Sequence, residues 1–245
     1  MTLEKGINFI WENARFLERA IFEHQFYGGS DERILEILRT YQNKDGGFGH
    51  ALEPDMRTPE SQPLFVEFAL RTLYECNLRD LEVAYQVCDF LSQHADLERG
   101  IPPLLPSSRN YPRAAHWDNQ KWEQPSLDRL IGLVGLANWQ GVRHPWLQKA
   151  VETCVGRVAT TRYTDAHTIL NAFCLLESLH KRTTTADLFS KLAQELNEAD
   201  YLCADVPVTG YALTPLDFAP TPDSYCRRIF SDCSASERPC IQIGI

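Results

Sequence analysis

The stretch YQNKDGGFGHALEPDMRTPESQP, residues 41–63, lies between two amphipathic segments. Neighbouring helices are usually joined by roughly two to eight residues, so a connection of this length is expected to do more than connect. It begins with turn chemistry at Asp45, Gly46 and Gly47. It then runs through His50, Glu53-Pro54-Asp55 and Arg57, and closes on PESQP. On its N-terminal side Ile34, Leu35, Ile37, Leu38 and Tyr41 share one face of a helix over about 31–42, with Ser30 or Asp31 as N-cap. On its C-terminal side Phe65, Phe68, Ala69, Thr72, Leu73 and Cys76 predict the next helix.

Farther out, the helical period persists. Leu3, Ile7, Ile10, Ala14, Leu17 and Ile21 step by three and four, which predicts one helix along the N-terminus. Val83, Val87, Phe90 and Leu91 predict another over about 80–93, and further helices are expected near 126–140, 145–160, 165–180 and 184–198. Pro145 suits a first helical turn, where its missing N–H costs nothing. No strand series stands out, so the expected class is all-α. Long loops follow every second helix, at 43–63 and 97–125. That alternation fits a helical-hairpin repeat whose long loops gather on one face, the rim of a central cavity when the pairs curve into a ring.

Gln42-Asn43-Lys44-Asp45-Gly46-Gly47-Phe48-Gly49 resembles the Q-x-x-D-G-[GS]-[FW] repeat of the α/α-toroid superfamily, which includes class II terpene cyclases and protein prenyltransferase β subunits. ERGIPPLLPS, 98–107, looks like a degenerate second copy. More narrowly, DGGFGHALEPD, GVRHPWL and TPLDFAPTPDS resemble segments of bacterial prenyltransferase-like, terpene cyclase-like proteins. The resemblance implies an α/α toroid over residues 1–220. It also implies a further helix pair with a second D-G-G-W motif, which this chain lacks. The expectation is therefore an incomplete ring followed by an atypical tail over 221–245. An open ring would expose apolar helix faces, for which a second copy of the chain, a homodimer, is the expected cover.

The motif residues themselves read as structural. Gln42 would bond open amides of a neighbouring repeat, Asp45 would cap the turn, the glycines would take positive φ and Phe48 would pack between repeats. The family's chemistry is only partly present. Class II cyclases use D-x-D-D, whereas this chain has Glu53-Pro54-Asp55. Prenyltransferase β subunits carry a zinc-binding D-x-C, whereas Asp55 is followed by Met56 and Arg57, so zinc is not expected. Mg²⁺ is the candidate metal for a prenyl diphosphate ligand; otherwise no cofactor is fixed.

Three loops carry the candidate residues. In the first, Glu53 and Asp55 are candidate catalytic carboxylates, one kept protonated as a general acid while Arg57 holds the other ionised, and His50 stands beside them. The competing reading is an Asp–Arg pair that pins the loop. In the second, Tyr111, Trp117 and Trp122 would wall an apolar or sugar-binding cavity. Asp118 and Glu123 supply carboxylates there, and Arg109 and Arg113 suit a phosphate. The competing reading is a loop that packs its own rings as a plug. In the third, Asp217 and Asp223 lie in a proline-stiffened loop expected to face the same cavity.

The formal charge of −9 argues against nucleic acid or an anionic membrane as partner. The N-terminus lacks a continuous apolar run and no segment is apolar enough to span a bilayer, so a soluble cytoplasmic protein is expected. Cys76, Cys88, Cys154 and Cys174 fall in apolar helical faces and read as reduced core thiols. Cys226, Cys233 and Cys240 are spaced by seven, with no fourth ligand evident. The functional expectation is an isoprenoid-handling protein, enzyme or binder, with a small apolar ligand. The alternatives are a carbohydrate-active barrel using Asp55, Asp118 and Asp217, or a non-catalytic interaction scaffold.

Overall fold

A computed structural model describes residues 2–163, 165–179, 185–198, 213, 215–218, 224 and 227. The tail predicted over 221–245, apart from Ser224 and Arg227, lies outside the described residues, as do Asp223, Cys203, Cys226, Cys233 and Cys240. The described chain is all-α: α1 (Leu3–Asn13), α2 (Phe16–Tyr27), α3 (Asp31–Arg39), α4 (Pro63–Glu75), α5 (Leu81–His94), α6 (Leu127–Trp139), α7 (Pro145–Thr160), α8 (Ala166–Ser178), α9 (Ala186–Glu198) and a single turn, α10 (Pro215–Phe218). Extended pairing among the described residues is limited to isolated bridges, of which Met56–Arg113 joins the two long loops. Among these residues no helix is long and apolar enough to cross a membrane.

The helix limits follow from local chemistry. Ser30 caps α3 by accepting from Arg33 N, Asp80 caps α5 through Glu82 N and Val83 N, and Asp165 caps α8 through His167 N and Thr168 N. Pro63 and Pro145 occupy first turns of α4 and α7. Two expectations change. The single N-terminal helix is broken at Ala14 and Arg15, both extended, because the Arg15 guanidinium is drawn to Glu18 and to the carbonyls of Ala51 and Leu52, each 2.9 Å away. The segment around Asp217, expected as a proline-stiffened loop, forms one helical turn opened by Pro215.

The helices pair as hairpins and the hairpins stack. α4, α6 and α8 stand side by side, α5 and α7 pack behind them, and α9 lies against α8. The closest approach is α6 on α8. A Cβ added at Gly135 would lie 2.6 Å from Leu175 N, and one at Gly132 would lie 2.4 Å from Asn171 Oδ1, so the first glycine brings the two backbones together and the second makes room for the Asn171 side chain. Gln140, fully buried after α6, accepts from Asp80 N at 2.9 Å and donates to Leu78 O, which locks the end of α6 onto the α4–α5 turn. The buried apolar residues form one cluster from Leu17 to Phe218. Burial pushes the Cys88 and Cys154 thiols up to about 12, in keeping with core thiols. α1 buries no residue, and Leu3, Phe9, Phe16 and Phe26 stand in solvent.

Candidate functional site

The 41–49 turn is built as a clasp. Asp45 Oδ1 accepts from Gly47 N at 3.0 Å and from Ser61 Oγ at 2.7 Å, so one carboxylate closes both ends of the loop. Gly46 has φ +84° and lies against α5, where a Cβ would fall 2.2 Å from Gln86 O. Phe48 is fully buried. Gln42 bonds within its own turn, to Gly46 O at 3.1 Å, rather than to a neighbouring repeat. Just ahead of the 98–107 segment Asp96 Oδ1 accepts from Glu98 N and Arg99 N, and Ile101 within it is fully buried.

The two long loops are joined to each other. Arg57 N donates to Pro112 O at 2.9 Å and Ala114 N to Asp55 O at 2.8 Å, while buried Gln62 bonds Ser107 Oγ and Leu105 N. Tyr111 Oη donates to Glu60 Oε1 at 2.7 Å across the same seam. Most of the expected site residues therefore share one face of the molecule. Asp55 is exposed, with His116 Nε2 3.8 Å from its carboxylate. The expected Asp55–Arg57 pair does not form, because Arg57 is held by its backbone to Pro112 and its side chain is exposed. Glu53 is half-buried; burial raises its carboxyl, the charge of Asp55 adds, and Arg15 and His116 oppose. His50 is exposed and bonded to Asn43 Oδ1 at 3.0 Å. His50 and Ala51 both have φ 57°, a left-handed pair held where Arg15 grips the Ala51 carbonyl. Arg113 Nε bonds Asp118 at 2.7 Å, and Trp117 meets Trp122 edge-on at 5.0 Å.

Asp217 is elsewhere. It lines a cleft of about 570 Å³ together with Ile21 and Gln25 of α2, Glu67, Arg71 and Glu75 of α4, His167 and Leu170 of α8, and Leu213. Glu67 binds Arg71, 3.3 Å away, and also pairs with Arg129 of α6. Burial works to raise the Glu67 carboxyl, but the Arg129 and Arg71 guanidiniums outweigh it and hold it below the usual range. At Glu75 the balance reverses. Part of the side chain reaches solvent, yet burial raises the carboxyl and the charge of Asp217 adds, against the opposing Arg71. Two carboxyls eight residues apart on one helix are thus pushed in opposite directions.

No family model matches the chain, nor does any curated protein or solved structure. The site therefore rests on its own geometry. Among the described residues no group of three or more His, Cys, Asp or Glu side chains is placed to hold a metal ion. Of the residues expected from sequence, Asp217 alone enters the large cleft, and its partners there were not anticipated. The signal was present. PLFVEFALRTLYE buries most of its apolar residues, and its charges fall at 67, 71 and 75, one per turn on a single face.

Proposed function

We propose that this chain is a helical-hairpin protein of the α/α-toroid kind whose working site is the cleft among α2, α4 and α8. There it binds a small polar molecule and supplies a proton from Glu75. The observation that carries this reading is the placement of Glu67 and Glu75 on one wall of a 570 Å³ cleft, where the guanidiniums of Arg129 and Arg71 pull the first carboxyl down while burial and the charge of Asp217 push the second up. Pairs of titratable groups driven apart by their surroundings are what acid–base sites use. A carboxyl with raised proton affinity is a weak acid. It suits transfer to an oxygen, such as the leaving oxygen of an acetal, better than to an alkene, which demands a strong acid. Hydroxylated substrates of the oligosaccharide class are therefore the better match to the cleft.

The isoprenoid reading is the second one. It draws on the apolar side of the cleft, Ile21, Leu170 and Leu213, and on the resemblance carried by residues 42–49. In that reading the ligand is amphipathic, its chain on the apolar wall and its head group toward Arg71. The solvent-facing Leu3, Phe9, Phe16 and Phe26 support a second copy of the chain as cover, which light scattering across a dilution series tests by the mass.

A thermal-shift panel tests the cleft directly, since a ligand that binds only the native state raises the midpoint. The panel sets neutral and acidic oligosaccharides against neutral polyprenes and prenyl diphosphates with and without Mg²⁺. The expected result is a shift from an oligosaccharide that survives the Glu53→Gln/Asp55→Asn double variant and is diminished in Glu75→Gln. A shift abolished by the loop variant and untouched by Glu75→Gln would move the site to the loop face. A shift from prenyl ligands alone would favour the isoprenoid reading.

A further inference from the structure

Arg129 stands in the first turn of α6 and is not one of the side chains that line the cleft. Its guanidinium engages Glu67 Oε2 across the contact between α4 and α6, while the other oxygen of that carboxylate, Oε1, takes Arg71 at 3.3 Å. The helix that carries Arg129 is fixed at both ends. Ser126 Oγ accepts from Arg129 N, and Gln140 beyond the far end bonds the α4–α5 turn. The packing of α6 on α4 therefore delivers the guanidinium to Glu67.

Arg71 has a carboxylate one turn away on either side, Glu67 before it and Glu75 after it. Its guanidinium pairs with Glu67 and acts on Glu75 through its charge. The partition matters for Glu75. A guanidinium turned toward Glu75 stabilises its ionised form, whereas one neutralised at Glu67 leaves the proton in place. The other groups around Glu75 come from three further elements. Asp217 of α10 opposes its ionisation, Gln25 of α2 donates to its backbone carbonyl at 3.4 Å, and His167 of α8 lines the same cleft and acts on Glu67. Arg71 is thus the group that works against burial and Asp217 at Glu75.

We propose that Arg129 is a positioning residue for the proton at Glu75: by occupying one oxygen of Glu67 it keeps that carboxylate from neutralising Arg71 outright, and so leaves part of the Arg71 charge directed at Glu75. The proposal rests on the reading of Glu75 as the proton donor of the cleft. Without Arg129, Glu67 and Arg71 close into a neutral pair, Glu75 feels less positive charge and it holds its proton more tightly. Without Glu67, Arg71 keeps Glu75 as its carboxylate one turn away, and Glu75 releases its proton more readily. Two members of one ion-pair chain therefore act on Glu75 with opposite sign. Loosening of the wall cannot imitate this, because water entering the cleft would move the carboxyl toward its ordinary value in both cases.

The test is a carbon-13 NMR titration of the full chain labelled at the glutamate carboxyl carbon, with the Glu75 signal assigned by its loss in Glu75→Gln. Arg129→Gln is expected to raise the apparent Glu75 pKa by roughly 0.5 or more, and Glu67→Gln to lower it by a similar amount. Arg129→Lys keeps the charge and should stay near the parent. In a Glu67→Gln background the further change Arg129→Gln should move Glu75 little, because the route through Glu67 is already cut. That comparison carries the test by itself if Arg129→Gln alone does not fold, since the double variant removes both members of the pair. Melting curves establish that each variant is folded. An unchanged or lowered Glu75 value in folded Arg129→Gln overturns the proposal. So does an equal rise with and without Glu67, which would mean that Arg129 acts on Glu75 directly. Glu75 titrating in the ordinary carboxylate range in the parent, with the variants still shifting in opposite directions, would remove the proton-donor reading and leave the ion-pair chain standing. A raised Glu75 value that Arg129→Gln does not move would do the reverse.

Discussion

Glu67 on α4 is ion-paired with Arg129 on α6 across the wall of the cleft, and with Arg71 one turn along its own helix. One carboxylate thus serves two guanidiniums that are each about three-quarters buried or more. Glu67→Gln leaves both cations short of a partner and is expected to cost about 2–4 kcal/mol in urea unfolding. The pH dependence has a definite sign. Because the folded-state pKa is lowered, the stability it contributes is present above the ordinary carboxylate range and is lost as pH falls through the lowered value. The variant should therefore unfold less steeply in acid than the parent.

Glu75 has the opposite linkage. Its folded-state pKa is raised, so the native state holds a proton that the unfolded chain releases. The associated stability is full below the ordinary carboxylate value and declines as pH rises through the raised one. Glu75→Gln mimics the protonated form and should flatten that decline while leaving low-pH stability near that of the parent. Midpoints measured by calorimetry from acid to neutral pH check it. A parallel decline in parent and variant would show that Glu75 is ionised like any surface carboxylate.

Gly46→Ala is expected to be severe. The residue sits at φ +84° and a Cβ would meet Gln86 O at 2.2 Å on α5. Left-handed strain and backbone overlap together should cost at least about 2 kcal/mol, read as a lowered urea midpoint at unchanged slope.

Arg15 is predicted to hold the first long loop in place. Its guanidinium bonds the carbonyls of Ala51 and Leu52, next to the left-handed pair His50–Ala51. Arg15→Ala should lower global stability by about 1–2 kcal/mol. Hydrogen exchange should speed up at the Ala51 amide, which bonds Thr58 O, and at the Leu52 amide, which bonds Gly49 O. Uniform exchange across the whole chain instead would mean that the loop opens only with global unfolding.

Period and punctuation made the helix pairs legible. α6, α7, α8 and α9 begin and end within about two residues of their expected limits, because Ser126, Pro145 and Asp165 are strong start signals. The 41–49 turn was legible too, since Asp-Gly-Gly has few backbone solutions. The break at Ala14 and Arg15 was not, because the apolar stripe runs straight through it and the cause is a bond to carbonyls about 36 residues away. Loop residues rich in chemistry drew attention to 50–57 and 111–122. The large cleft is instead lined by a charged stripe inside an apolar helix, where each charge taken alone reads as an ordinary solvated side chain. Only the stacking of α4 beside α6 shows that Glu67 meets Arg129.

The glycine contact between α6 and α8 fixes which side of the cleft can yield. Gly135 rests on the Leu175 backbone and Gly132 on the Asn171 side chain, so α8, which gives His167 and Leu170 to the cleft, is held tightly against α6. Across from it α2 contributes Ile21 and Gln25 to the cleft, and Gln25 reaches Glu75 O on α4 through a long 3.4 Å contact. A molecule larger than the resting space is therefore expected to displace α2 before α8, at the cost of uncovering Leu17 and Ala20 of the core.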